Sequence, residues 1–104
     1  MSLVVTVLDA QVAPERTPDL QAAYTEAAQG PFPAGFVRST LLRLANDPTL
    51  WRIETIWQSH EALAAMRQVG KPRGIQIFEA AGAHPTLTVL DAVAEVVPSK
   101  GAPK

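Results

Sequence analysis

His60 is the residue best placed to exchange a proton. It follows Ser59 at the start of a helical stretch, and a helix N-terminus disfavours the imidazolium, leaving the neutral imidazole that a base requires. The simpler reading is an exposed histidine at a helix start. His84, between Ala83 and Pro85, reads as a turn residue. Two histidines with no cysteine and no obvious carboxylate cluster make no metal site. Ser59, His60 and Glu61 are sequence neighbours whose side chains diverge on a helix, so they form no catalytic triad. Tyr24 and Trp57 offer flat faces on which an aromatic ligand could stack, and the same rings serve equally well as core. Met66 and Phe78 share that double reading.

Four charges fall inside strand-like segments: Arg38, Arg43, Arg52 and Glu54. If the turn at 46–49 pairs Leu42 with Arg52, then Arg38, Arg52 and Glu54 share one sheet face. Trp51, Ile53 and Trp57 share the other with Val37 and Leu41. A charge on a covered face needs a partner, so an Arg38–Glu54 cross-strand bridge is expected. The alternative is an arginine presented to an anionic ligand.

These residues are positioned by a legible series of elements. Leu3 to Leu8 (LVVTVL) is short and rich in β-branched residues, the pattern of a buried strand. Thr17-Pro18-Asp19 reads as a helix start, with Thr17 as N-cap and Pro18 in the first helical position. Leu20, Ala23, Tyr24 and Ala27 then form an apolar stripe, and Gly30-Pro31-Phe32-Pro33 ends the helix. Strands are expected over Gly35 to Ala45 and Leu50 to Trp57, joined as an antiparallel hairpin by Asn46-Asp47-Pro48-Thr49. Ser59 caps a second helix carrying Leu63, Met66 and Val69 inward, with Gly70 at its C-terminal end. A further short helical piece spans Pro72 to Ala81, closed by Gly82. Thr86 to Val97 completes the series as a long last strand.

Strand, helix, strand, strand, helix, strand is the order of an α+β, ferredoxin-like βαββαβ domain, an antiparallel sheet with its helices on one face. The chain of 104 residues allows one domain, expected over 1–97, with a polar tail at 98–104. A formal net charge of -1 gives no electrostatic footprint for nucleic acid or an anionic membrane. Zero cysteines exclude a disulfide scaffold and a thiol nucleophile. No apolar run approaches the roughly 18 residues of a membrane span. Met1 to Leu8 has no basic start and is stopped by Asp9, unlike a signal peptide. A cytoplasmic protein is the expectation.

The first and last strands are apolar on both faces. Val5 and Val7 alternate with Val4, Thr6 and Leu8, and Leu87 and Val89 with Leu90. A sheet apolar on both sides needs a second cover, and the simplest is another copy of itself about a two-fold axis. A homodimer is therefore expected, with the last strand reaching across to the partner.

With the strand order in place, Ile53-Glu54-Thr55-Ile56-Trp57-Gln58-Ser59-His60-Glu61-Ala62-Leu63 resembles the strand-to-helix junction of the antibiotic biosynthesis monooxygenase family. A tryptophan ends the third strand there, and a Ser-x-Glu-Ala-Leu-like run opens the helix. Gly35-Phe36 is similar to that family's start of the second strand, and Phe78-Glu79-Ala80-Ala81-Gly82-Ala83-His84-Pro85 to its approach to the last strand. The resemblance spans roughly positions 3 to 97 and implies a dimeric α+β barrel.

Members of the family oxidise polycyclic phenols without metal or flavin, degrade haem, or break down quinones, so fold membership alone does not set the activity. The haem degraders use an asparagine on the first strand, a tryptophan within the second helix and a later histidine. Leu3 to Leu8 has no asparagine, Met66 occupies the helix position, and no histidine lies near Gln76. What the resemblance implies is a monooxygenase needing no cofactor, with a small aromatic phenol or quinol as substrate. His60 is the candidate base, and Tyr24, Trp57, Met66 and Phe78 the candidate pocket lining. The alternative is a binding or accessory protein of the same fold that holds a ligand without turning it over.

Overall fold

Residues 3–98 are described by a computed structural model. The elements run β1 (Val4–Gln11), α1 (Thr17–Ala27), β2 (Phe36–Arg43), β3 (Leu50–Trp57), α2 (His60–Val69), α3 (Arg73–Ala80) and β4 (Thr86–Asp91). All pairings are antiparallel, in the spatial order β2-β3-β1-β4. This is the ferredoxin-like α+β arrangement read from the sequence. Of the tail expected at 98–104, only Pro98 falls within the described residues.

Register separates the two faces. Leu41 lies opposite Ile53, which lies opposite Leu8, and Leu8 lies opposite Leu87. The same face carries Val4, Ala10, Trp51 and Trp57, all buried beneath the helices. The buried apolar residues form two groups. Val4, Trp57 and Leu63 gather under α2 at one end of the sheet, with Phe36, Ala62 and Met66 packed beside them. Leu8, Trp51, Ile53, Leu20, Ile77 and Phe78 belong to a larger group under α1 and α3 at the other end. The helices thus cover the two ends of the sheet and leave its middle less filled.

Several local expectations hold. Ser59 Oγ accepts the Ala62 amide at 3.1 Å, as an N-cap does. Asp47 Oδ1 accepts from Thr49 Oγ1 at 2.7 Å and from the Thr49 amide at 3.0 Å, fixing the hairpin turn. Leu42 pairs with Arg52 as the turn composition suggested.

Others are corrected. Thr17 does not cap α1, because a 3-10 turn over Pro14–Arg16 runs straight into it and Arg16 already has helical dihedrals. Val69 does not face inward but is 90% exposed at the end of α2. No Arg38–Glu54 bridge forms. The same register that pairs Leu42 with Arg52 sets Arg38 opposite Ile56 and Glu54 opposite Thr40, two residues apart, while Arg52 bonds its direct partner Asp9 at 2.7 Å. That carboxylate raises the Arg52 pKa through its hydrogen bond and then its charge. Arg43 lies over the Trp51 ring at 5.6 Å. The last strand ends at Asp91 and not at Val97. β1, the neighbour of β4, begins at Val4, and beyond the bond from the Ala92 amide to Leu3 O the segment pairs with no strand among the described residues.

Candidate functional site

The gap between the two apolar groups is a cavity of about 800 Å³ between the middle of the sheet and the helices. Its floor comes from strand register. Ser39 on β2 lies opposite Thr55 on β3, and Thr55 lies opposite Thr6 on β1. Each is the single hydroxyl in its strand's helix-facing row, which is otherwise apolar in β1 and β3 and carries Leu41 and Arg43 in β2, and all three line the cavity. Residues directly opposite on one sheet face have Cβ atoms about 4.5–5.5 Å apart, so the three hydroxyls form a polar stripe across three strands.

Hydroxyls this poorly hydrated must find partners. Trp57 Nε1–H donates to Thr6 Oγ1 at 3.2 Å, and the Thr6 hydroxyl lies 3.5 Å from Thr55 O. Tyr24 reaches down from α1 and donates to Ser39 Oγ at 3.1 Å, while Thr55 Oγ1 donates to the same oxygen at 3.4 Å. A hydroxyl has one proton and two acceptor lone pairs. With Tyr24 and Thr55 as donors, Ser39 accepts twice and its own proton is free for a third partner.

Aromatic rings form one wall. Phe32 stacks on Phe36 with centroids 4.8 Å apart, and Phe36 meets Trp57 edge-on at 5.8 Å. Leu63 and Met66 of α2 continue that wall, and Ile75 and Ile77 of α3 face it. The rim carries Arg38, Arg67, Lys71 and Arg73, and no aspartate, glutamate or histidine lines the cavity among the described residues. Lys71 is paired with Glu79 at 2.8 Å. Arg73 donates to Pro31 O at 2.9 Å and Ala27 O at 3.3 Å, which holds the segment before α3 against the end of α1.

Of the residues singled out from the sequence, Tyr24, Trp57 and Met66 are brought together on the cavity. Phe78 is not. It is fully buried in the group under α1 and α3 and does not line the space. His60 also lies away from it, at the exposed start of α2, with Nε2 2.6 Å from Asp91 Oδ1. His84 lies exposed in the turn before β4. Thr6, Ser39, Thr55 and Arg67 escaped the sequence reading. The available signal was one hydroxyl in each inward-facing row, meaningful only once the strands are aligned. Among the described residues no cluster of three or more His, Asp or Glu side chains is placed to hold a metal, and no helix is long and apolar enough to cross a membrane.

Antiparallel sheet, one helical layer and an apolar cavity between them define a ferredoxin-like domain with a ligand-sized interior. A family model, Antibiotic biosynthesis monooxygenase, matches residues 3–70, and the chain belongs to that family. Among solved structures it is similar to SnoaB of Streptomyces nogalater, a cofactor-independent oxygenase, at 22% identity and a TM-score of 0.63 over 95% of this chain and all of that one. It is likewise similar to a candidate antibiotic biosynthesis monooxygenase of Caulobacter crescentus CB15, at 18% identity and a TM-score of 0.70, covering 89% and 92% of the two chains. A third, from Deinococcus radiodurans, gives 15% identity and a TM-score of 0.68 over 95% and 99%. A comparison with curated protein sequences finds no match. Likeness at these identities establishes the shared fold.

Proposed function

We propose that this protein is a cofactor-independent monooxygenase acting on a phenol or quinol bound between sheet and helices. The observation that carries the reading is the Tyr24–Ser39–Thr55 hydroxyl cluster on the floor of an apolar, aromatic-walled cavity. A phenol must ionise before it readily gives an electron to dioxygen. The Ser39 proton, polarised by two incoming hydrogen bonds, is the donor that stabilises the phenolate oxygen. Phe36, Trp57 and Met66 flank the ring, and the cationic rim lowers the cost of the negative charge.

The balance is complete without an added reductant. A phenol with hydrogen on its para carbon and one dioxygen give a quinone and one water. One oxygen atom bonds that carbon, the other leaves as water with the ring hydrogen and the phenol proton, and the substrate supplies all the electrons. A cavity of about 150 Å³ holds a benzene, so 800 Å³ suits two or three fused rings better than one. The similarity to an oxygenase that works without a cofactor supports the reading.

The lining has no carboxylate or imidazole among the described residues, which favours a second reading, a protein that holds its ligand without turning it over. Oxygen uptake with 1-naphthol separates the two. Turnover predicts one 1,4-naphthoquinone per dioxygen consumed, a rate lowered about tenfold or more in Ser39→Ala, and an unchanged rate in His60→Ala. Binding without oxygen uptake above buffer would establish the second reading.

A homodimer belongs to the same proposal. The sheet face away from the helices carries Leu42 and Leu90 exposed, with Val5 and Ile56 half-buried, and Val93, Val96 and Val97 beyond β4 are exposed too. Apolar surface so concentrated is the mark of an interface.

A further inference from the structure

We infer that the molecule bound in this cavity is an anionic aromatic, carrying a carboxylate that sits at the rim beside Arg67, away from the phenolic oxygen on the floor. The inference rests on the cavity reading above and goes further by naming the charge of the ligand.

The whole chain has ten acidic and nine basic residues, so an unbiased cavity wall would mix the two signs. This one carries four cations and no carboxylate among the described residues. The carboxylates are elsewhere: Asp9 bonds Arg52 on the opposite sheet face, and Asp91 bonds His60 beyond the cavity. The four cations differ in where they stand and in how far their charge is already answered. Arg38, also without a side-chain partner among the described residues, stands on edge strand β2 in the row of Thr40 and Leu42, which belongs to the sheet face away from the helices. Lys71 is neutralised by Glu79. Arg73 is held by two carbonyl oxygens, which orient the guanidinium but leave its charge uncompensated. Arg67, one turn beyond Leu63 on α2, makes no side-chain hydrogen bond or ion pair among the described residues. A guanidinium beside an apolar cavity suits a carboxylate bidentately, and the fixed charge of Arg73 adds to the same field.

The two ends of the cavity therefore differ in chemistry. The floor offers neutral hydroxyl donors suited to a phenolic or carbonyl oxygen, and the rim offers full positive charge in reach of water. A hydroxyaryl carboxylate satisfies both ends with its rings along the Phe36–Trp57 wall, while a neutral phenol leaves the rim unanswered.

Calorimetric titration with 6-hydroxy-2-naphthoic acid and its neutral carboxamide tests this at neutral pH. The two share ring size and phenol and differ in the charge at one end. The wild-type protein is expected to bind the acid about tenfold more tightly or better, the gain from one charge-assisted contact. Arg67→Gln should reduce that preference several-fold and leave carboxamide affinity unchanged. Arg67 is exposed, and a matching melting temperature verifies the fold. Arg52→Gln, the same charge change on the other sheet face, should keep the preference intact.

Equal binding of acid and carboxamide overturns the inference, as does an equal loss of preference in both arginine variants, which would mean bulk charge and not a rim contact. Failure of both compounds to bind overturns it together with the cavity reading. Because binding and not turnover is measured, acid preference without oxygen uptake would leave this inference standing and remove only the oxygenase reading.

Discussion

The indole of Trp57 donates to Thr6 Oγ1 at 3.2 Å, tying the end of β3 to the middle of the neighbouring strand β1 by a buried polar bond. Trp57 is 5% exposed and packs with Val4 and Leu63, so it is a corner of the core and a wall of the cavity at once. Trp57→Ala should cost about 3–5 kcal/mol in denaturant unfolding. Thr6→Val keeps the shape but leaves the indole N–H unpaired, at about 1–3 kcal/mol. In a Trp57→Phe background the same Thr6→Val change should cost much less, since no N–H remains to be stranded. Equal costs in both backgrounds would show that the bond contributes nothing.

Gly35 precedes β2 with φ +84°, and a Cβ built there would stand 2.3 Å from Ala62 Cβ. Gly35→Ala is thus expected to destabilise by two routes, backbone strain of about 1–3 kcal/mol and collision with α2. Adding Ala62→Gly removes the collision and leaves the strain. The double variant should therefore be more stable than Gly35→Ala alone, although helix α2 gains a glycine worth about 1 kcal/mol of loss. A double variant less stable than the single one would mean that α2 already moves aside.

The hairpin turn carries a pH dependence of known sign. The Thr49 hydroxyl, and after it the Thr49 amide, hold the Asp47 carboxyl below its ordinary pKa. A lowered folded-state pKa means stability that is full above the unfolded value, about 3.9, and lost as pH falls through the folded value. Asp47→Ala should melt below wild type at pH 7. The gap should shrink as the pH is taken under ~4 and close once the bound carboxyl is protonated. A gap that is constant with pH would assign the loss to turn propensity alone.

Light scattering at micromolar concentration should report the mass of a dimer. Leu90 is exposed on the sheet face away from the helices, and Leu90→Lys should shift the equilibrium toward monomer. A chain ending at Asp91, lacking the exposed Val93, Val96 and Val97, should dissociate at higher concentration than the full chain. A monomer mass for the wild type would remove the interface, and unchanged dissociation on truncation would exclude the terminal segment from it.

Local chemistry was enough to read the element series from the residues. Leu50 to Trp57 is bounded as expected, Ser59 caps α2, and the Asn46–Thr49 turn sets the Leu42–Arg52 register. Each depends on neighbours a few positions away, and capping, turn preference and alternation act over that range. Tyr24, Trp57 and Met66 could be suspected for the same reason, as large side chains on inward stripes.

Tertiary structure alone decided the rest. Thr6 and Ser39 are separated by two strand pairings, and neither is notable until Thr55 is set between them. His60 meets Asp91 across 31 positions, a pairing no local rule provides, and so lies away from the cavity. β4 ends at Asp91, opposite Val4, the first residue of β1, with one further bond from the Ala92 amide to Leu3 O, although Ala92 to Val97 has the composition of a strand. Arg52 pairs with Asp9 because the β1–β3 register sets the two directly opposite each other, while Arg38 and Glu54 share the same sheet face but lie opposite Ile56 and Thr40. Hydrogen-bonding partners and charges act through space, and only the packed chain sets which of them share it.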